Sequence, residues 1–389
     1  MNKKISLGLA ISLMAIASAF TFILTSFFSL QSYNKKVVDV NEKAKKYSSL
    51  QRLDSFVRDN YYGDIDEGKL NDGILKGFVE GLGDGSSEYL SADEYLEEQT
   101  DNSGEVIGLG LFLEEDDSGY IRIDRILEGS PAEDLGIEAG DIIISVSGMD
   151  VIDTGFDEAM EAINGSEGTA VDLVVRRNGI DTSYTFTRRS IELVTVSGSL
   201  IDGYIGYIRI DSFKENTPEQ FIETLQRMTS NGAEALIFDI RDNSGGLISS
   251  LQNCLAPLLP EGVIASAEYK DGHSETVLYS DDSMLDLPVV VMVNKNTSSE
   301  AELFAASLRD YAGAQLVGTT TSGKGVLQTV TEFENGGAVK LTVAEISNEV
   351  SGTFNKTGLT PDVQVDITDP DYDAQYYKAL ETANYMLDN

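Results

Sequence analysis

The 389 residues are enough for two or three globular units, and 41% hydrophobic with 24% charged residues is the balance of a folded chain. Against 28 Lys and Arg stand 65 Asp and Glu, a net charge of −37 that repels phosphate backbones and argues against nucleic acid as a partner. One cysteine, Cys254, excludes an intrachain disulfide and a thiolate cluster, and one histidine, His273, leaves no multi-histidine metal site, so no metal or cofactor is expected.

At the amino end Lys3 and Lys4 precede residues 5–28, 24 positions without a charge, enough to cross a hydrocarbon core of about 30 Å. The flanking lysines predict a cytoplasmic amino end and an exported remainder. Ala15, Ala17 and Ala19 leave open a cleaved signal peptide, which gives the same extracytoplasmic location without the membrane anchor.

Residues 31–60 are charged and helix-prone, with Leu50, Leu53, Phe56 and Val57 on one face, which suits a stalk that self-associates into a homo-oligomer. A second helix is predicted over 70–79, then a glycine-rich turn over 81–87. Ser91 and Glu94 have the spacing of a capping box and start a third helix. From about residue 104 the texture becomes short strands, over 107–113, 120–123, 141–146 and 170–176. A short helix opens at Ser130-Pro131 and another covers 156–163.

After residue 197 strands alternate with helices. Strands are predicted over 204–210, 235–240, 287–293 and 314–317; helices cover 219–228, with Thr217 as its cap, and about 298–308. That alternation predicts a layered α/β core. The expected organisation is a tip and transmembrane anchor over 1–30, a helical stalk and module over 31–100, a β-rich unit over 101–190 and the α/β core over 191–389.

Three strand-end loops gather the reactive residue types. Residues 318–325 satisfy G-x-x-x-x-G-K, but Gly325 stands where a phosphate-binding loop needs Ser or Thr, and residues 326–331 alternate like a strand instead of opening a helix. Lys324 between two glycines reads instead as a loop lysine or, if shielded from solvent, a general base. Ser298 and Ser299 lie where a strand turns into a helix; they are helix caps or, with the free N–H groups of a helix start nearby, a nucleophile. Asp239 to Gly246 run from a strand end into Gly245-Gly246. His273 sits in a polar hairpin turn, and no Ser-His-Asp triad is built on it.

Taken in order, residues 239–246, 294–310, 323–328 and 358–363 resemble the core motifs of the C-terminal processing peptidases, or tail-specific proteases. Gly108, Leu109, Gly110 and Leu111, with Gly129-Ser130-Pro131-Ala132 and Gly140-Asp141, resemble that family's inserted PDZ domain. The resemblance covers about residues 61–365. It implies a crotonase/ClpP-like layered α/β core with an inserted PDZ domain, and a serine endopeptidase acting on proteins recognised by their C-termini.

Carried over, the nucleophile falls on Ser299, the general base on Lys324 and the residue that orients it on Gln328. The oxyanion donors fall on the N–H groups of Gly245 and Glu300, and the substrate's terminal carboxylate on the 108–111 loop. Ser298 is the alternative nucleophile. This sequence departs from the family in having Glu300 after Ser299, where a small residue is usual, and Ala301 where a serine is frequent. A PDZ scaffold with weak catalysis is the alternative this departure opens.

Overall fold

A computed structural model describes residues 47–281, 284–367, 369 and 371–388, together with Thr21, Thr25 and Lys45. Of residues 5–28 only Thr21 and Thr25 are described, so the expected anchor lies outside the described residues; among these, no helix is long and apolar enough to cross a membrane. The chain divides into two compact units, Met1–Gly73 and Ile74–Asn389.

In the first unit α1 (Ser48–Asn60) precedes the start of α2 (Glu67–Glu80). Arg58 of α1 donates to Glu67 at 2.5 and 2.9 Å and to Asp54 at 2.8 Å, while Leu50, Leu53 and Phe56 stay exposed.

The second unit continues with β1 (Glu88–Leu90) and α3 (Ala92–Ser103). Ser91 caps α3 as its spacing predicts: Glu94 folds back to accept the Ser91 N–H at 2.8 Å. There follow β2 (Glu105–Gly108), β3 (Leu111–Glu115), β4 (Ile121–Ile126), α4 (Pro131–Asp134), β5 (Ile142–Val146), β6 (Met149–Asp150), α5 (Val151–Thr154), α6 (Phe156–Ile163), β7 (Ala170–Arg177), β8 (Ile180–Thr187) and β9 (Arg189–Glu192).

Strands β3-β4-β5-β7-β8 form an antiparallel sheet closed over Ile121, Ile123, Ile143, Leu173 and Phe186, and β2 pairs with β9. The single strand predicted over 107–113 is two. The break falls at Leu109 and Gly110, whose carbonyls accept the N–H groups of Ala132 and Leu127 instead of a sheet partner.

The core comprises β10 (Val196–Ile201), β11 (Ile205–Ile210), α7 (Thr217–Ser230), β12 (Ala235–Asp239), α8 (Ile248–Leu255), β13 (Gly262–Tyr269), β14 (Ser274–Ser280), β15 (Val289–Val293), α9 (Glu300–Ala312), β16 (Gln315–Gly318), β17 (Val326–Glu332), β18 (Ala338–Asn348), β19 (Val363–Gln364) and α10 (Ala374–Asp388). Its main sheet has the order β10-β11-β12-β15-β16-β19, parallel except at β10.

Every residue of β12 and β15 is buried, because helices cover both faces. Leu236, Phe238, Val291 and Val293 pack with Phe221, Leu251 and Phe304 from α7, α8 and α9. Ile237, Val290 and Met292 pack with Ala379 and Ala383 of α10. A second sheet, β1-β18-β13-β14 with β17 on β18, receives one strand from the segment before α3.

Asn216, not Thr217, is the N-cap of α7; the Thr217 hydroxyl accepts the Lys214 N–H at 2.9 Å and donates to Thr195 at 2.8 Å. Cys254 is buried in the core, which pushes its thiol up and leaves it a packing residue. His273 lies in the β13–β14 turn, stacked on Tyr269 with ring centres 4.3 Å apart and bonded to Asp271, which raises its pKa.

Candidate active site

Three loops leave the carboxyl ends of β12, β15 and β16 and are stitched together by polar contacts. Asp242 accepts the side-chain amides of Asn294 at 2.9 Å and Asn296 at 2.8 Å. These bonds, Asn296 first, hold its carboxyl below the usual carboxylate range. Thr297 Oγ1 donates to the Ile240 carbonyl at 3.0 Å, and the Ser298 N–H donates to the Asn243 carbonyl at 3.0 Å. The lysine loop joins the same set, since the Ser322 N–H donates to the Thr297 carbonyl at 3.0 Å.

Ser299 is the N-cap of α9, at φ 56° and ψ −120°, a backbone conformation that residues with a side chain rarely adopt. Strain at a strand-to-helix turn that leaves a hydroxyl half-exposed points to a functional constraint at this residue. Ser298 Oγ is already engaged, accepting from Ser322 Oγ at 2.8 Å.

Sequence reasoning missed the residue that unites the loops. Glu302 is fully buried, and its carboxylate accepts four hydrogen bonds: from the Ser299 N–H at 3.1 Å, the Gly323 N–H at 2.8 Å, the Lys324 N–H at 2.8 Å and Thr321 Oγ1 at 2.5 Å. One oxygen, Oε2, takes the N–H groups of both Ser299 and Lys324. The signal was present, for Ser299 and Glu302 have the capping-box spacing that was read at Ser91 and Glu94.

Lys324 is half-buried, and Gly323, at φ 85°, is packed so closely by the 356–358 main chain that a Cβ would lie 2.9 Å from the Gly358 nitrogen. Lys324 is followed by strand β17, as its alternation predicts, not by a phosphate-binding helix. Its ammonium makes no ion pair and no hydrogen bond among the described residues, to Ser299 Oγ included. Thus the loops that carry the two groups are brought together, while the direct contact between their side chains is not formed.

The other expected site residues fall differently. Gln328, on β17, donates its amide to the Ser86 carbonyl and not to Lys324. The Gly245 N–H donates to Asn243 Oδ1 at 2.9 Å, so the expected donor at this position is already taken; the next one, the Gly246 N–H, meets the Glu300 carboxylate at 3.0 Å. The N–H of Glu300, at the first turn of α9, has no acceptor within the helix.

Between the β-rich unit and α3 a cavity of about 840 Å³ is lined by Leu109, Leu111, Leu113, Leu127, Met160 and Ile163, with Leu96, Glu97, Thr100 and Asp101 of α3 on its other wall and Glu105 at the start of β2. Gly108 ends β2 and Leu111 starts β3. Between them the N–H groups of Leu109 and Gly110 have no acceptor among the described residues. An apolar groove beside free backbone N–H groups is suited to an extended peptide with a terminal carboxylate.

Residues 204–365 match the family model of peptidase family S41, and residues 122–177 match a PDZ domain. The carboxy-terminal processing protease CtpA of Bacillus subtilis is 32% identical over 375 residues, 96% of this chain and 79% of the relative. A carboxyl-terminal-processing protease of Synechocystis is 32% identical over 307 residues, 75% of this chain and 72% of the relative. Among solved structures, an S41 protease from Bacteroides fragilis shares the fold with a TM-score of 0.51 at 17% identity, over 84% of this chain and 99% of that one. A likeness of about a third of all positions, carried across nearly the whole length, makes this chain a member of peptidase family S41, a C-terminal processing peptidase with a PDZ domain.

Proposed function

We propose that the chain is a serine endopeptidase in which Ser299 is the nucleophile and Lys324 the general base, cutting proteins that it takes by their C-termini. The observation that carries this reading is the buried Glu302 carboxylate, which ties the main chain of both residues to one oxygen. Neutral Lys324 removes the Ser299 proton as Oγ attacks the scissile carbonyl, an acyl-enzyme forms, and water releases the peptide.

Gly246 and Glu300 supply the N–H groups for the oxyanion, aided by the positive end of α9. A Ser299–Lys324 hydrogen bond that forms only with substrate fits the usual tightening of such contacts in the Michaelis complex. Gln328 orients Lys324 by accepting an Nζ–H at Oε1, while its Nε2–H stays on the Ser86 carbonyl.

The substrate's last residues add to the PDZ sheet, an apolar side chain entering the 840 Å³ cavity and the carboxylate binding at Leu109 and Gly110. We assign residues 1–30 to the tip and anchor, 31–100 to the stalk and helical module, 101–190 to the PDZ domain and 191–389 to a crotonase/ClpP-like protease core. The uncharged run over 5–28 supports a core held outside the cytoplasm, and the exposed Leu53 and Phe56 of α1 suit self-association.

The test is cleavage of an unstructured protein with an apolar C-terminus by the full chain and by Ser299→Ala, Lys324→Ala and Ser298→Ala. Loss of several orders of magnitude in the first two, and little change in the third, is expected of one catalytic unit. Cutting by Ser299→Ala would reject the nucleophile. A second reading, a PDZ scaffold with an idle core, is favoured by the Glu300 carboxylate lying against the Gly246 N–H, and predicts peptide binding without turnover.

A further inference from the structure

The loop that presents Ser299 carries an anion of its own. Glu300 Oε2 accepts the Gly246 N–H at 3.0 Å, and the same oxygen lies 2.4 Å from where a Cβ on Gly245 would stand. That Cβ position is also 3.0 Å from Ser299 Cβ and 3.2 Å from the Glu300 nitrogen. The Ser299 side chain, the Glu300 N–H and the Glu300 carboxylate therefore border one small volume beside Gly245.

An oxygen anion held by a loop N–H beside the start of α9 has the form of the species that an acyl-transfer site is built to receive. No cation competes for it, since neither Glu300 nor Lys324 enters an ion pair among the described residues. We propose that Glu300 is an internal occupant of the oxyanion site, holding the resting peptidase unreceptive until a bound peptide's carbonyl displaces the carboxylate. The proposal rests on Ser299 as nucleophile.

Displacement requires side-chain rotation alone. The Glu300 N–H stays in place as α9 is unmoved, and the half-exposed side chain has solvent to turn into. Glu302, two residues on, has no such freedom, being fully buried under four donors. The two glutamates thus divide the work: one fixes the loops and the other covers the site they form.

The experiment compares the full chain with Glu300→Ala, Glu300→Asp, Glu300→Gln and Ser299→Ala. It measures the rate of labelling by a fluorophosphonate probe and kcat/KM on an unstructured protein, with melting temperature as the control for folding. Losing a charge-assisted hydrogen bond that competes with the substrate should raise labelling and kcat/KM on the order of ten-fold or more in Glu300→Ala. Glu300→Asp, one methylene too short to reach Gly246, should follow it, and Glu300→Gln should fall between.

A silent wild type that gains Ser299-dependent labelling in Glu300→Ala supports the proposal equally. If the wild type cuts through Ser299 and the folded Ala and Asp variants are no faster, the internal occupant is rejected while the catalytic reading stands. If no member of the series is labelled at all, the catalytic reading falls and takes this proposal with it.

Discussion

The carboxylate of Glu302 accepts the Lys324 N–H at 2.8 Å through the oxygen that also accepts the Ser299 N–H, so the loops that carry Ser299 and Lys324 share one buried anchor. Removing it leaves several N–H groups facing a void. Glu302→Ala should cost about 3 kcal/mol or more, because each buried donor left unpaired costs roughly 1–3 kcal/mol. Glu302→Gln keeps one accepting oxygen and turns the other into a donor, which faces at least one main-chain N–H that cannot accept it. It should fold with a lowered urea midpoint and lose at least about a hundred-fold in kcat at little change in KM, the pattern of a misplaced catalytic pair. Wild-type kcat in Glu302→Gln would remove the anchor from the mechanism.

A second buried anchor sits at the start of the 239–246 loop. Asp239, fully buried, is gripped by Arg241 at 2.9 and 2.6 Å and accepts from Tyr207 Oη at 2.7 Å, while Arg241 reaches Asp373 at 2.8 Å. Burial and then the Asp239 charge drive the Tyr207 hydroxyl well above its ordinary pKa, so it stays a donor at any working pH. Arg241→Ala should destabilise by about 3 kcal/mol, the low end for a broken buried pair, since the Asp239 carboxylate keeps Tyr207 Oη and Arg209 at 3.5 Å. Tyr207→Phe should cost about 1 kcal/mol. Urea unfolding of the two variants checks the ranking, and equal losses would contradict it.

The parallel core was legible because β12 and β15 are buried on both faces and read as apolar runs, broken only by Asp239 at the end of β12. Where a strand is mostly exposed that signal fails: β8 has only Phe186 buried, and its sequence carries little alternation. The helix α10 escaped for a related reason, since its buried positions are Gln375, Ala379 and Ala383, too small and too polar to mark a face. At the site, Ser299 and Lys324 were singled out through motif order. Glu302 was not, because a helix-start glutamate is ordinarily a solvated cap, and nothing local says that a loop 21 residues further on will bury it. That Asn243 takes the Gly245 N–H and leaves the Gly246 N–H to Glu300 is a choice of backbone angles that residue types do not encode.

The PDZ domain should be acid-sensitive through Asp141. Burial opposes its ionisation, but the Arg177 fork at 2.7 and 2.6 Å and the Glu138 N–H at 3.0 Å outweigh this and hold its carboxyl below the usual range. With the folded pKa depressed, the stabilisation is complete above the unfolded value of about 3.9 and is lost as pH falls through the folded value. Thermal melts from about pH 5 down to 2 should therefore show a steep acid limb in the wild type. Asp141→Asn should begin less stable and be flatter across that window. An identical acid slope in both proteins would place the sensitivity elsewhere.

The apolar groove makes the last prediction. Met160, half-exposed on α6, lines the 840 Å³ cavity with Leu111 and Ile163, so a charge there faces the bound side chain without disturbing the fully buried Ile121, Ile123 and Phe186. Met160→Glu should keep the melting temperature within a few degrees and weaken a peptide ending in Leu or Val about ten-fold or more. The cause is that an ionised carboxylate must be desolvated against an apolar partner and repels the peptide's terminal charge. Fluorescence anisotropy with a labelled peptide reads the affinity, and an amidated peptide is the control, binding weakly to both proteins if the carboxylate is what Leu109 and Gly110 hold. On a full-length substrate the same variant should raise KM and leave the rate of probe labelling at Ser299 unchanged if the groove acts in capture and the Ser299 and Lys324 loops in chemistry. Equal affinity for the acid and amide forms in the wild type would exclude C-terminal recognition at this groove.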